Sequence, residues 1–166
     1  MGAELAGVGP AAGGVAPAVC AGAGPAAGGV AGVGHTVTGG MAALRAKSLA
    51  LTDLFIDLVE TRCSGYGLGV ATPRPHEQRG SQVCLTREHA SSGSGAFAIV
   101  QALIHRGVIG DFRAGDNGIH KDILRFGFTP LYIGFEDVWN AVDHLRIVLE
   151  NEEWMLPQFN LKHVVT

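Results

Sequence analysis

The chain has 166 residues, enough for one domain with a real hydrophobic core. Its formal net charge of -3 offers no attraction to nucleic acid or to an anionic membrane. Cys20, Cys63 and Cys84 are widely spaced and form no C-x-x-C or zinc pattern, so they read as free thiols in a reducing compartment.

Residues 1–40 are nearly all Gly, Ala, Val and Pro, and Glu4 is the only formally charged side chain before Arg45. The octet GPAAGGVA occurs twice, at Gly9 to Ala16 and at Gly24 to Ala31. Glycine and proline at this density disfavour both helix and strand. Without large apolar side chains, nothing offsets the entropy lost on ordering. The segment is neither a secretory signal nor a membrane span, since it has no basic start and no unbroken apolar run. It is expected to be a disordered low-complexity extension. Translation of GC-rich DNA in a shifted frame yields this kind of composition.

Met41 to Arg62 contains no proline or glycine, and Leu44, Leu51, Leu54, Phe55, Leu58 and Val59 follow helical spacing, with Lys47 as a polar exception. This helix should stop near Ser64-Gly65. Tyr66 to Leu85 reads as two short strands, Leu68 to Ala71 and Ser81 to Leu85, around a connection from Thr72 to Gly80. The glycines at 65, 67 and 69 lack the strand before and helix after that a phosphate loop needs, so they read as turn and strand residues.

After a polar loop, Ala96 to His105 should form a helix with Ile99, Val100, Leu103 and Ile104 inward and Ser94 or a neighbour as its cap. Gly107 ends it, and Val108 to Arg113 starts a strand. Ala114 to Lys121 is a polar loop, followed by the apolar run Ile123 to Phe128 and a Thr129-Pro130 break. Val138, Ala141, Val142, Leu145 and Leu149 then make one helical stripe, expected to pack on the strand before it. Glu136 and Asp137 suit the positive end of that helix. Trp154, Pro157 and Phe159 are expected to pin the tail. This order predicts a small α+β layer, one sheet with helices mainly on one face.

Arg125 lies inside the apolar run, where a charge is costly without a partner. Two readings stand: a solvated arginine on an edge strand, or a planar fork aimed at a carboxylate. No other pattern carries chemistry. His35, His76, His89, His105, His120, His144 and His163 form no H-x-x-x-H or H-E-x-x-H motif, and no G-x-S-x-G elbow occurs. No metal site is expected.

The runs RGVIGDFRAG (106–115) and DILRFGFTPLYIGFEDVWNAVDHLR (122–146) resemble the C-terminal domain of kynureninase, a fold-type I pyridoxal-phosphate enzyme. MAALRAKSLALTDLFIDLVETRC (41–63) and RGSQV (79–83) resemble earlier parts of the same domain. The likeness covers residues 41–166 and none of the first forty. It implies a hydrolase of tryptophan breakdown, leading toward NAD biosynthesis. Such an enzyme converts L-kynurenine to anthranilate and L-alanine, and is a cytoplasmic homodimer. It also implies that Arg125, just before F-G-F-T-P-L-Y, binds the substrate α-carboxylate. The family's cofactor lysine lies in a large domain. Lys47, Lys121 and Lys162 match no part of that motif, so no catalytic and no cofactor-binding residue is assigned. The 166 residues are therefore expected to be a fragment, inactive alone. One alternative is a small docking module that completes the site of a separate large domain. Others are a poorly folding remnant and a fragment of a related cysteine desulfurase or class V aminotransferase.

Overall fold

The computed structural model describes residues 40–87, 95–116 and 119–161. The low-complexity extension, apart from Gly40, falls outside them, as do Ser94, Lys162, His35, His89, His163 and Cys20.

Helix α1 spans Gly40–Arg62. Its first two turns are largely exposed, and burial begins at Ser48. Leu51, Phe55, Ile56, Leu58 and Val59 then face inward, each contributing about 1.5–3 kcal/mol on burial. Lys47, the exception on the apolar face, donates from Nζ to the Pro130 carbonyl at 2.8 Å. The chain leaves α1 through Gly65 and Gly67, both at positive φ, and enters β1, Leu68–Val70. The glycine cluster thus makes a turn into a strand.

Strand β2, Gln82–Arg87, runs two residues further than its apolar pattern suggested. Pairing holds the extra residues in place: Thr86 sits between Gly69 and Ile123, and Arg87 faces Leu68. Helix α2, Ala96–His105, has the expected bounds. Its cap position is Gly95, at φ 66°, which has no side chain to accept a hydrogen bond. Ile104, expected inside, is exposed, while Ala96, Ala98 and Ala102 are buried with Ile99, Val100 and Leu103. The buried face of α2 is thus centred on its alanines together with Ile99, Val100 and Leu103, and Ile104 lies at its margin.

Strand β3 is only Asp111–Arg113, shorter than the run from Val108 suggested. Val108 instead closes the end of α2, donating its N–H to the Leu103 carbonyl at 2.9 Å past Gly107 at positive φ. β4 is Ile123–Gly127. The four strands form one antiparallel sheet in the order β1-β2-β4-β3.

Helix α3, Phe135–Glu150, opens with the Asp137 carboxylate accepting the Gly134 N–H at 2.8 Å. It buries Val138, Val142, Leu145, Val148 and Leu149. The expected packing on β4 is corrected here: α3 lies mainly against α1 and α2, as a second helical layer behind the sheet. The tail ends in α4, Pro157–Asn160, with Phe159 buried and Trp154 packed on the core, whereas Pro157 is exposed.

Alternation along the strands sorts the sheet into two faces. Val83, Leu85, Leu124 and Phe126 point into the core, where the Phe55 ring lies 5.1 Å from Phe126 and 4.9 Å from Phe128. Cys84, Thr86, Ile123, Arg125 and Asp111 fall on the other side, none of them fully buried. The result is the expected α+β layer, with helices on one face of a small sheet.

Candidate carboxylate site on the helix-free sheet face

Arg125 stands on β4, an interior strand flanked by β2 and β3, which rules out the edge-strand reading. In register it faces Cys84 on one side and Asp111 on the other. Its Nη2 donates to Asp111 Oδ2 at 2.5 Å. The same oxygen accepts from Arg113 Nε at 2.9 Å. One third of the Arg125 side chain remains exposed. The charge that seemed costly inside an apolar run is therefore off the core and hydrogen-bonded, and two guanidiniums share one carboxylate. Asp111 was not singled out from the sequence. The D-F-R alternation of β3 places Asp111 and Arg113 on one face, but nothing local shows that this face meets Arg125.

A second polar cluster also escaped the sequence reading. The connection between β1 and β2 is strapped to α1 by Arg45, which donates to the His76 and Arg79 carbonyls at 2.5 and 2.6 Å. Arg79, first residue of RGSQV, is buried and pairs with Asp53. His76 Nε2 lies 2.8 Å from the other oxygen of that carboxylate. Burial pushes the Asp53 carboxyl up, yet the bonds from Arg79 and His76 outweigh it and hold it below the ordinary value. Nε of Arg79 has no hydrogen-bond partner among the described residues. This cluster ties the segment just before β2 to α1.

The other reactive residue types are engaged in structural contacts or dispersed. Burial pushes the Cys63 thiol up to about 11, which makes it a poor nucleophile. His120 pairs with Asp116, His144 approaches Arg106, and the His105 ring packs near Phe159. Among the described residues, no group of three His, Cys, Asp or Glu gathers to hold a metal. No helix among them is long and apolar enough to cross a membrane.

The surface of the described residues carries shallow hollows, two of which have the following linings. One, of about 150 Å³, is lined by Gly67, Leu68, Gly69, Thr86 and Lys121. The other, of about 420 Å³, lies between α2 and the tail, lined by Gln101, Ile104, His105, Gln158 and Phe159.

Fold and site together define a small α+β domain that keeps its helices on one side of a sheet and a shared-carboxylate arginine pair on the other. Comparison with known proteins makes the class specific. The family model for the kynureninase C-terminal domain matches residues 44–145. The kynureninases of Burkholderia mallei (strain SAVP1), Burkholderia pseudomallei (strain K96243) and Pseudomonas fluorescens are each 51% identical to the chain over 126 residues. The chain belongs to the kynureninase family, of which it carries the C-terminal domain. The match covers 76% of this chain but 27% of each relative's length.

The pyridoxal phosphate that this family implies does not fit the described residues. Lys47 is engaged with the Pro130 carbonyl. Lys121 lines the smaller hollow, of about 150 Å³, well below the ~300–1,000 Å³ usual for a small-molecule site. The larger hollow contains no lysine.

Proposed function

We propose that this chain serves as the C-terminal part of a kynureninase-type hydrolase, which converts L-kynurenine to anthranilate and L-alanine in tryptophan breakdown. Arg125 binds the substrate α-carboxylate. The observation that carries this reading is the place of Arg125 on an interior strand, facing the helix-free side, with a guanidinium both anchored and partly open. A planar fork takes a carboxylate at two points, whereas an ammonium offers a single charged centre. The pyridoxal phosphate and its Schiff-base lysine belong, in this reading, to a large domain outside these 166 residues. The 166 residues alone are then inactive, and they act in the cytoplasm as part of a homodimeric enzyme. Buried Cys63 and half-buried Cys84, both unpaired, agree with a reducing compartment.

A second reading is a docking module that completes a separately encoded large domain. Leu131, Tyr132, Phe135 and Trp139 favour it, since each is about half exposed or more within one turn and the helix start after it. The test is anthranilate release from L-kynurenine with pyridoxal phosphate, by the purified chain alone and mixed with a kynureninase large domain. Activity only in the mixture, lost on Arg125→Lys, supports the proposal. Turnover by the chain alone refutes the assignment of the chemistry to residues outside it.

A further inference from the structure

The helix-free sheet face holds one more piece of design, which rests on the reading of Arg125 as a carboxylate clamp. A lone arginine on an open sheet face is rotamer-rich and must be ordered each time it binds. Here Asp111 already holds one nitrogen of the Arg125 fork, at 2.5 Å from Nη2. A lone Asp111–Arg125 pair would be neutral, and its carboxylate would compete with an incoming anion. Arg113 corrects both problems. It donates to the same Oδ2 at 2.9 Å, which fixes Asp111. It also leaves the cluster with two positive charges against one negative.

We propose that Asp111 and Arg113 are positioning residues for Arg125: Asp111 anchors Nη2 so that the rest of the fork faces an α-amino-acid carboxylate, and Arg113 holds Asp111 and keeps the cluster cationic. The register supports this division of labour. Asp111 is directly opposite Arg125, while Arg113 is two pairs further along, opposite Ile123. Arg113 therefore reaches Asp111 from its own strand, with its side chain about three-fifths exposed.

Nuclear magnetic resonance on the full 166-residue chain, alone and mixed with a kynureninase large domain, tests the proposal through the Arg125 Nε–Hε signal, with L-kynurenine added to the mixture as the probe ligand. In the wild type the signal is sharp and slow to exchange with water. Asp111→Ala broadens it and speeds exchange, and Asp111→Asn, which keeps an acceptor oxygen, partly restores it. Arg113→Gln leaves the signal visible but weakens L-kynurenine binding about threefold and flattens its salt dependence, as expected for one screened charge nearby. Amide signals of Leu124 and Phe126 report that the variants remain folded. An Arg125 signal unchanged in Asp111→Ala overturns the proposal. So does tighter L-kynurenine binding in that variant, which would mean that Asp111 only repels the ligand. Loss of order in Asp111→Ala while L-kynurenine leaves the wild-type signal unmoved in the mixture with the large domain separates the two claims. Positioning then stands, and the carboxylate reading of Arg125 falls.

Discussion

Asp53→Ala should destabilise the domain by about 2–3 kcal/mol, although Asp53 itself is partly exposed. The reason is its partner. The Arg79 side chain is 1% exposed, against 41% for Asp53. Removing one member of a buried ion pair costs about 3–5 kcal/mol, because a charge is left uncompensated. An exposed pair is worth about 0–1 kcal/mol. Water reaching the Asp53 side places this pair between those limits. For a domain of this size the loss lowers the melting temperature by about 8–12 °C. Urea unfolding followed by circular dichroism measures it, with Glu60→Ala as control. The Glu60–Arg74 pair has both side chains about half exposed, so its loss should stay within about 0.5 kcal/mol. Asp53→Asn, which can still accept from Arg79, should fall between. The double variant Asp53→Ala/Arg79→Met should recover much of the loss, since no buried charge then remains. An Asp53→Ala effect no larger than the Glu60→Ala control would refute the claim that the burial of Arg79 gives the pair its weight.

Three further outcomes follow from the packing. Phe55→Ala empties the space between Phe126 and Phe128 and should cost about 3–5 kcal/mol in urea unfolding. Gly95→Ala should lower the melting temperature by several degrees: a Cβ there would lie 2.6 Å from the Trp154 ring and the Arg87 guanidinium, at a backbone φ of 66°. Trp154 fluorescence should shift as the ring, over which Arg87 stacks at 4.1 Å, gives way. The hydrogen bonds from Arg106 hold the Glu153 carboxyl below its ordinary value, against a smaller opposing effect of burial. Below the ordinary glutamate value the unfolded chain binds the proton more readily. The contribution of Glu153 is therefore present above that value and is lost as pH falls through the lower folded one. Arg106→Met should flatten stability against pH in that acidic window, as measured by urea unfolding at stepped pH.

How much of this was legible in the sequence differs between elements. Helices α1, α2 and α3 could be placed because their apolar spacing repeats over ten residues or more, long enough to define a face. The strands were harder. Thr86 and Arg87 look like loop residues and become strand only because Gly69, Leu68 and Ile123 lie opposite them. Val108 looks like strand and is instead spent on closing α2. Partner choice was least visible, and α3 lies mainly on α1 and α2 rather than on β4 for reasons that periodicity does not encode. At the candidate site, Arg125 stood out because a charge interrupted an apolar run, while its role came from resemblance. Asp111 and Arg79 did not stand out. Their meaning depends on what lies 14 and 26 residues away, and on burial in an apparent loop.

The two outer strands, β1 and β3, are each three residues long. A free sheet margin normally invites another chain to add a strand through its unpaired backbone groups. Here an intruding strand would find room for only three residues on either side. β1 is also centred on Gly69, and β3 is bounded by Asp111 and Arg113. Charge, glycine and brevity together make this sheet a poor template for end-to-end growth. Under stress the chain should therefore fail by exposing its helical layer, and the aggregates that follow should lack the ordered cross-strand pattern that dye binding detects.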